Sequence, residues 1–470
     1  MQAASKILLK EIILFCSKNN MAESTFGRLA INDGKLCSRL KDGKDVTLST
    51  STRIREFINQ QKKIKTPNLL NDNSDLRDQI NPVSATSSNS NKNENSPKKG
   101  ALRFYDNRQN YLSFINTTNE KWKVAERAAR ELTHLKPNPP ALKLFDAGMG
   151  DATILTHLMR SLHRRNPIMP FFVVAKEISL EDVRLSLKKL SDRFMEHPAT
   201  VMVVTNMHYA EAPWLRPNNI DLAAALNWHE VALEGNCSHQ YGEQLRELDP
   251  LLVDGWQVKS SEITGNPVYT RPSVLVLYRK DHSFLLNDVI PKPGQVFGCY
   301  DFIIASQPWR AKTSAKFKAK RVLAPLVKAL APHGRLLAVQ SSGADPALEL
   351  INEIWPDERP FGVDRHDLVK ALKNELGRES RNYNFLTGSD TKSLIRYNMH
   401  VMPDELEHGI GTSTLFAAWN AAVYVNQIED QRIEPIIQSA GYLEATAKIL
   451  KKYNGLWFND ESFVVSKKGI

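Results

Sequence analysis

Residues 145–155 read FDAGMGDATIL. The apolar run ALKLF that leads into them from Ala141 ends in Asp146. Two glycines follow at Gly148 and Gly150, and from Thr153 apolar residues recur at a helical period. A strand, a glycine turn and a helix in that order put these three residues at a strand's carboxyl end. Glycine lets backbone approach a ligand there, and the helix start offers unpaired N–H groups. A glycine pair after a strand also serves a plain tight turn, so the stretch alone leaves both readings open.

Apolar runs and helical stretches alternate downstream. Strands are expected at 141–148, 170–177, 200–206, 300–306 and 334–342, with helices near 117–135, 153–164, 180–194 and 316–331. This order predicts a doubly wound α/β sheet, whose ligands lie beyond the carboxyl ends of its strands. The second strand ends in Glu177, 31 residues after Asp146. An acid there is placed to take both hydroxyls of a ribose, although beside Lys176 it also fits a surface ion pair. NAD-binding sheets share a glycine turn and a later acid. Here Thr153 stands where the third glycine of G-x-G-x-x-G would be, which disfavours a pyrophosphate cradle and a dehydrogenase.

The stretch LAPHGRLLAV, from Leu330, is similar to the L-x-P-G-G-x-L signature of class I S-adenosylmethionine-dependent methyltransferases, with His333 in place of the first glycine. The terminal GLWFNDESFVVSKK fits a hairpin of edge strands that finishes such a sheet with an antiparallel member. On these motifs the body resembles a class I (Rossmann-like) methyltransferase over residues 141–206 and 300–342. The resemblance implies a seven-stranded, mostly parallel sheet and S-adenosyl-L-methionine as cofactor. It implies that Asp146, Gly148 and Gly150 line the methionine part, that Glu177 binds the ribose hydroxyls, and that Asn206 and Met207 flank the adenine. Ala152 replaces a glycine of the family's motif.

The fourth strand ends in Ser306, Gln307, Pro308 and Trp309, where amino-group methyltransferases carry N/D/S-P-P-Y/F/W. Such a tetrapeptide holds an amine's N–H groups on polar acceptors and stacks its ring on an aromatic, keeping the nitrogen lone pair on the methyl. Ser306 and the Gln307 carbonyl would accept and Trp309 would stack; a purely structural turn is the other reading. His208 and Tyr209, just past the third strand, are the candidates for a base or orienting group; a satisfied polar loop residue is the other reading of the histidine. No metal is called for, since Cys237 and His239 have no partners at ligand spacing. Insertions at about 210–299 and 356–455 flank the predicted core, the first where the resembling enzymes shape their acceptor pocket. Phe104, Tyr105 and Tyr111 either cap the cofactor or fill core.

The 470 residues, 42% hydrophobic and 24% charged, exclude global disorder and imply more than one domain. No apolar run approaches the ~18 residues of a membrane span. The four cysteines are scattered, so neither a disulfide framework nor a zinc site is expected, and a cytoplasmic protein without membrane contact is. Residues 66–100, rich in Ser, Asn and Lys, read as a disordered, flexible linker. They separate a small all-α domain, 1–65, from a body, 101–470. Residues 1–65 hold thirteen Lys/Arg against six Asp/Glu, so +7 of the net +10 lies there.

Within that segment, MAESTFGRLAINDGKLCSRLKDGKDVT (21–47) resembles the repressor-like helix-turn-helix domains of bacterial regulators. Lys35, Ser38, Arg39 and Lys41 face outward on the second helix, and Gly34 stands at its start. The resemblance implies DNA or another nucleic acid as partner; a helical docking or oligomerisation module is the alternative. Together the two halves predict a methyltransferase acting on an amine or a nucleic acid. The competing prediction is a DNA-binding regulator whose methyltransferase-like domain senses a ligand without catalysis.

Overall fold

The architecture follows from which apolar runs are buried on both faces. In the computed structural model the described residues are 108–469, apart from 262–266 and 401–408, together with 8–9, 12–13, 15–16, 22–31, 33–42, 46, 50–51, 53–55 and 57–58. The linker expected at 66–100, and Phe104 and Tyr105, lie outside them. The chain divides into two compact units, Met1–Ser96 and Pro97–Ile470, which are taken in turn.

The strands of the larger unit are β1 (Leu142–Asp146), β2 (Phe171–Lys176), β3 (Thr200–Thr205), β4 (Asn227–Leu233), β5 (Val258–Ser260), β6 (Pro267–Tyr269), β7 (Ser273–Arg279), β8 (Tyr300–Ser306), β9 (Leu330–Ser341), β10 (Tyr383–Leu386), β11 (Leu394–Asn398) and β12 (Trp457–Lys467). Ten form one sheet, in the order β10-β12-β9-β8-β1-β2-β3-β7-β4, with β11 also on β12; β5 and β6 pair apart. From β3 to β9 neighbouring strands run parallel, and β12 is antiparallel to β9. The run β3 to β10 is therefore a seven-stranded sheet with one reversed member, as the resemblance implied.

Alternate residues feed two cores. Leu142 and Leu144 of β1, Phe171 and Val173 of β2, and Phe302 and Ile304 of β8 pack with the helices Glu120–Glu131, Thr153–Arg165 and Leu180–Glu196. Phe145, Phe172 and Ile303 face the opposite core, which residues 315–328 and the helix Arg365–Leu376 cover. Burial on both faces is why these strands read as near-continuous apolar runs.

Four expectations are corrected. The terminal segment is not an edge hairpin: β12 is one strand of eleven residues inserted between β9 and β10, buried along nearly its whole length. The helix expected over 117–135 is two, Arg108–Thr117 and Glu120–Glu131. The helix expected to reach 331 ends at Lys328, and LAPHG belongs to β9, where the ladder slips between Tyr300 and Phe302. His333 there takes a φ of 63°, and a Cβ on Gly334 would lie 2.5 Å from the Tyr300 carbonyl, so the second position requires glycine. Finally, the insertion at 210–299 extends the sheet, because β7 pairs antiparallel with β3 and carries β4.

In the N-terminal unit the helices Glu23–Ile31 and Leu36–Lys41 share a core with Leu8, Ile12, Phe15, Ile54 and Ile58. They pack closely: a Cβ on Gly27 would lie 2.2 Å from the Asp33 carbonyl. Of the outward basic residues, Lys41 pairs with Glu23 at 2.7 Å and Arg39 with Asp33.

Candidate functional site

The strand ends carry a polar row on one face of the sheet. Side chains alternate along a strand, so Asp146, Ser306 and Ser341 face the same core as Leu144, Ile304 and Val339, and Asp460 of β12 faces with Val464. The start of the helix Glu120–Glu131 covers this end of the sheet.

Asp146 is 3% exposed and accepts the Gly148 N–H at 3.1 Å. Burial pushes its carboxyl up to about 7, with the Gly148 bond opposing and the Glu177 charge adding to the rise. Gly150 has a φ of 53°, and the Tyr111 hydroxyl lies 2.7 Å from where its Cβ would be. Tyr111 thus roofs the glycine turn from the helix Arg108–Thr117. Gly148 by contrast is open: the nearest atom to a Cβ there is the Ser306 carbonyl, at 4.0 Å.

Glu177 is held firmly. Its Oε2 accepts the Gly150 N–H at 2.9 Å, and its Oε1 accepts those of Ile178 and Ser179 at 2.8 and 2.9 Å. A carboxylate oxygen has two acceptor positions, so Oε1 is saturated and Oε2 retains one. Three of its acceptor positions are thus used by this chain's own backbone, one by the β1 turn and two by the residues that lead into the helix Leu180–Glu196.

At the end of β8 the tetrapeptide divides. The Ser306 Oγ is buried without a partner. Gln307, at a φ of 50°, donates to the Ser341 Oγ at 3.0 Å and accepts the Ser341 N–H at 3.2 Å. The Pro308 carbonyl accepts the Tyr209 hydroxyl at 2.9 Å. Trp309 is core, 6% exposed, with its indole N–H on the Gln340 Oε1 at 3.1 Å, so its ring is not a platform for an acceptor.

The end of β3 serves the insertion. Asn206 donates both amide hydrogens, to the carbonyls of Gly255 and Arg271 at 2.9 Å each, and its Oδ1 accepts the Ser273 N–H at 2.8 Å. Met207 is wholly buried in core. The Asn206 side chain is thus fully engaged in tying the added strand β7 to β3, while Met207 packs in the core. His208 is exposed, its ring tilted on Tyr269 at 4.9 Å; partial desolvation and the Lys176 charge lower its pKa, against Glu211. Lys176, 5.0 Å above the Tyr209 ring, is also lowered by burial.

Three residues of the site escape sequence reading. Glu120 is buried and pairs with Lys121, Oε2 to Nζ 3.0 Å. Lys121 lies near enough to both Asp146 and Asp460 to oppose the rise of their pKa values. Asp460 is fully buried beside the Ser341 and Gln307 side chains, and burial pushes its carboxyl well above the ordinary range. Lys121 is thus the ammonium beside Glu120, Asp146 and Asp460, as Lys176 is beside Glu177. Beside Lys121 a cleft of about 490 Å³ opens, lined among others by Asn116, Asn119, Trp122, Thr153 and His400. Among the described residues no helix is long and apolar enough to cross a membrane, and no three His, Cys, Asp or Glu gather to hold a metal ion.

No protein-family model and no curated protein matches the chain. Among solved structures it is similar to phosphoethanolamine N-methyltransferase 2 of Haemonchus contortus in complex with S-adenosyl-L-methionine, at 9% identity and a TM-score of 0.30, over 79% of this chain and 61% of that one. It is similar to geranyl diphosphate methyltransferase in complex with the same compound, at 11% identity and a TM-score of 0.28, over 80% and 93%. YjhP from E. coli is 9% identical, with a TM-score of 0.30, over 75% and 93%. The strand order and the residues at the strand ends, rather than these alignments, position the candidate site.

Proposed function

We propose that the chain binds S-adenosyl-L-methionine over the ends of β1 and β2 and transfers its methyl group to an acceptor lying toward β8 and β12. The observation that carries this reading is the pair of buried carboxyl groups, Asp146 and Glu177, that meet the glycine turn at the ends of β1 and β2. The residues fit the compound's chemistry. Asp146 suits the ammonium of the methionine part, the open backbone at Gly148 admits close approach, and Glu177 Oε2 has a position for one ribose hydroxyl. When bound, the compound supplies a sulfonium methyl that is already activated. The protein's part is then to orient and to exclude water: Tyr111 closes the turn, and the Tyr209–Pro308 bond closes the gap between β3 and β8.

Replacing Asp146 or Glu177 by alanine should weaken S-adenosyl-L-methionine binding by about 1–3 kcal/mol, the usual loss for hydrogen bonds to charged groups. Calorimetric titration decides, and unchanged affinity in both variants sinks the assignment. Mass spectrometry of nucleic acid, protein and metabolite extracts incubated with isotope-labelled methyl donor then finds the acceptor. For the N-terminal unit, the charge of residues 1–65 supports a nucleic acid as partner, which would hold substrate near the larger unit.

A further inference from the structure

The outer faces of the helices Glu120–Glu131 and Thr153–Arg165 carry an aromatic ring and a set of arginines that the candidate site does not use. Trp122 stands between Lys121 and Lys123 and leaves 57% of its surface to solvent. Its ring rests on His157 of the second helix, with centroids 4.1 Å apart, and lines the cleft of about 490 Å³ described above. In the same cleft Asn119 accepts the Asn398 N–H at 2.8 Å through its Oδ1, and Asn116 donates its amide to the Leu112 carbonyl at 2.7 Å. The Asn119 amide hydrogens and the Asn116 Oδ1 are left without a partner among the described residues.

The first helix leads down to the start of β1 and the second leaves its end, so both run the same way along the sheet. On the second, Thr153, His157, Arg160 and Arg164 recur at i, i+4, i+7 and i+11, one stripe opposite the buried Leu155, Leu158 and Leu162. On the first, Arg130 follows Trp122 by about two turns. Arg130 and Arg164 therefore lie about 11–12 Å along their helices from the stacked Trp122–His157 pair. Both are exposed, and neither has an ion pair among the described residues. Arg160 reaches Glu196 only at 3.4 Å, and Glu126, the one exposed acid of the two helices, is taken by Lys123 at 3.0 Å.

An exposed indole keeps apolar area in water, and arginines without counter-charges repel one another. A ligand with a flat face and a string of negative charges relieves both. We propose that this face binds unpaired nucleic acid: one base stacks on the exposed side of Trp122, its edge on the two asparagine amides, and the phosphates that follow lie along Arg130, Arg160 and Arg164. An aromatic ring beside a basic track is the chemistry that holds a single strand. A duplex, whose bases are already stacked and paired, offers this face only its phosphates. DNA and RNA share the chemistry. The surface belongs to the larger unit, is separate from the basic N-terminal segment, and stands whether or not the methyl-transfer reading does.

The test is fluorescence anisotropy on the full chain in 50 mM salt, with labelled twelve-nucleotide oligothymidylate and oligouridylate and a twelve-base-pair duplex as probes. Trp122→Ala should weaken single-strand binding about fivefold or more, the size of a lost base–aromatic stack, and leave the duplex within about twofold. Trp122→Phe, which keeps a ring, should retain most of the single-strand affinity. Replacing Arg130 and Arg164 together by glutamine should make the single-strand salt slope shallower by roughly 0.7 per arginine. The replaced side chains are exposed, so the melting temperature and any S-adenosylhomocysteine affinity should hold in every variant. Should Trp122→Ala fail to fold, the arginine variant decides by its slope. Single-strand affinity unchanged in Trp122→Ala, an equal loss for strand and duplex, or an unchanged slope in the arginine variant overturns the proposal. Polyglutamate competing as well as the oligonucleotides also overturns it, because the surface then reads charge alone. A response from only one of the two strands upholds it and names the sugar.

Discussion

Gly150 and Tyr111 form the tightest contact of the candidate site, and the two are separable by mutation. Gly150→Ala meets both a φ of 53° and a hydroxyl 2.7 Å from the new methyl group. The backbone part costs about 1–2 kcal/mol, and displacing Tyr111 adds to it. Tyr111→Phe removes the hydroxyl but leaves the backbone strain, so the double variant should recover part of the loss in a denaturant titration. Equal stability of single and double variants would mean that Tyr111 does not roof the turn. At the same scale Asp146 sets a pH dependence. Its carboxyl rises from an ordinary 3.8 to about 7 on folding, so the neutral form is the folded one. The stability it contributes is complete below about pH 4 and is lost as pH rises toward 7, by up to about 4 kcal/mol. A cationic ligand favours the ionised form, so S-adenosyl-L-methionine affinity should increase between pH 5.5 and 7.5. Asp146→Asn should flatten both curves.

At the scale of elements, the end of β3 shows how a local pattern misleads. A polar residue after a buried strand suggests a ligand contact, and Asn206 meets that description. What the pattern omits is the partner 67 residues away: the Ser273 N–H, which Asn206 receives only because β7 docks antiparallel on β3. Asn206→Ala should therefore act on stability, costing about 2–4 kcal/mol by leaving buried backbone groups unpaired, while the cofactor affinity of the folded protein stays within about threefold. A larger affinity change with little loss of stability would return Asn206 to the ligand. The β1 turn was legible for the opposite reason. Strand, glycine turn and helix are contiguous there, and periodicity reads contiguous structure. β12 was not, because NDES looks like a hairpin turn until β9, β10 and β11 enclose it. The same sequence pattern that hid the strand hid Asp460.

For the molecule as a whole, the question is what the N-terminal unit adds. Its basic excess is a sum over sequence, and the structure divides that sum. Arg39 and Lys41 are held by Asp33 and Glu23, whereas Arg28, Lys35 and Arg53 are exposed. Phosphate contacts made by free cations release counterions, and each contributes roughly one unit to the slope of log affinity against log salt. If those three carry the interaction, binding of a short DNA duplex should follow a slope of about −3. It should then fall roughly 50-fold between 50 and 200 mM salt, as read by fluorescence anisotropy. Deleting residues 1–96 should abolish that binding and leave the melting temperature and S-adenosylhomocysteine affinity of the remaining chain unchanged, because the two units hold separate cores. A slope near −5 would mean that Arg39 and Lys41 let go of their carboxylates on binding. Retention of duplex affinity after the deletion would move the polyanion surface to the larger unit, where Lys121 and Lys123 border the cleft beside the candidate site.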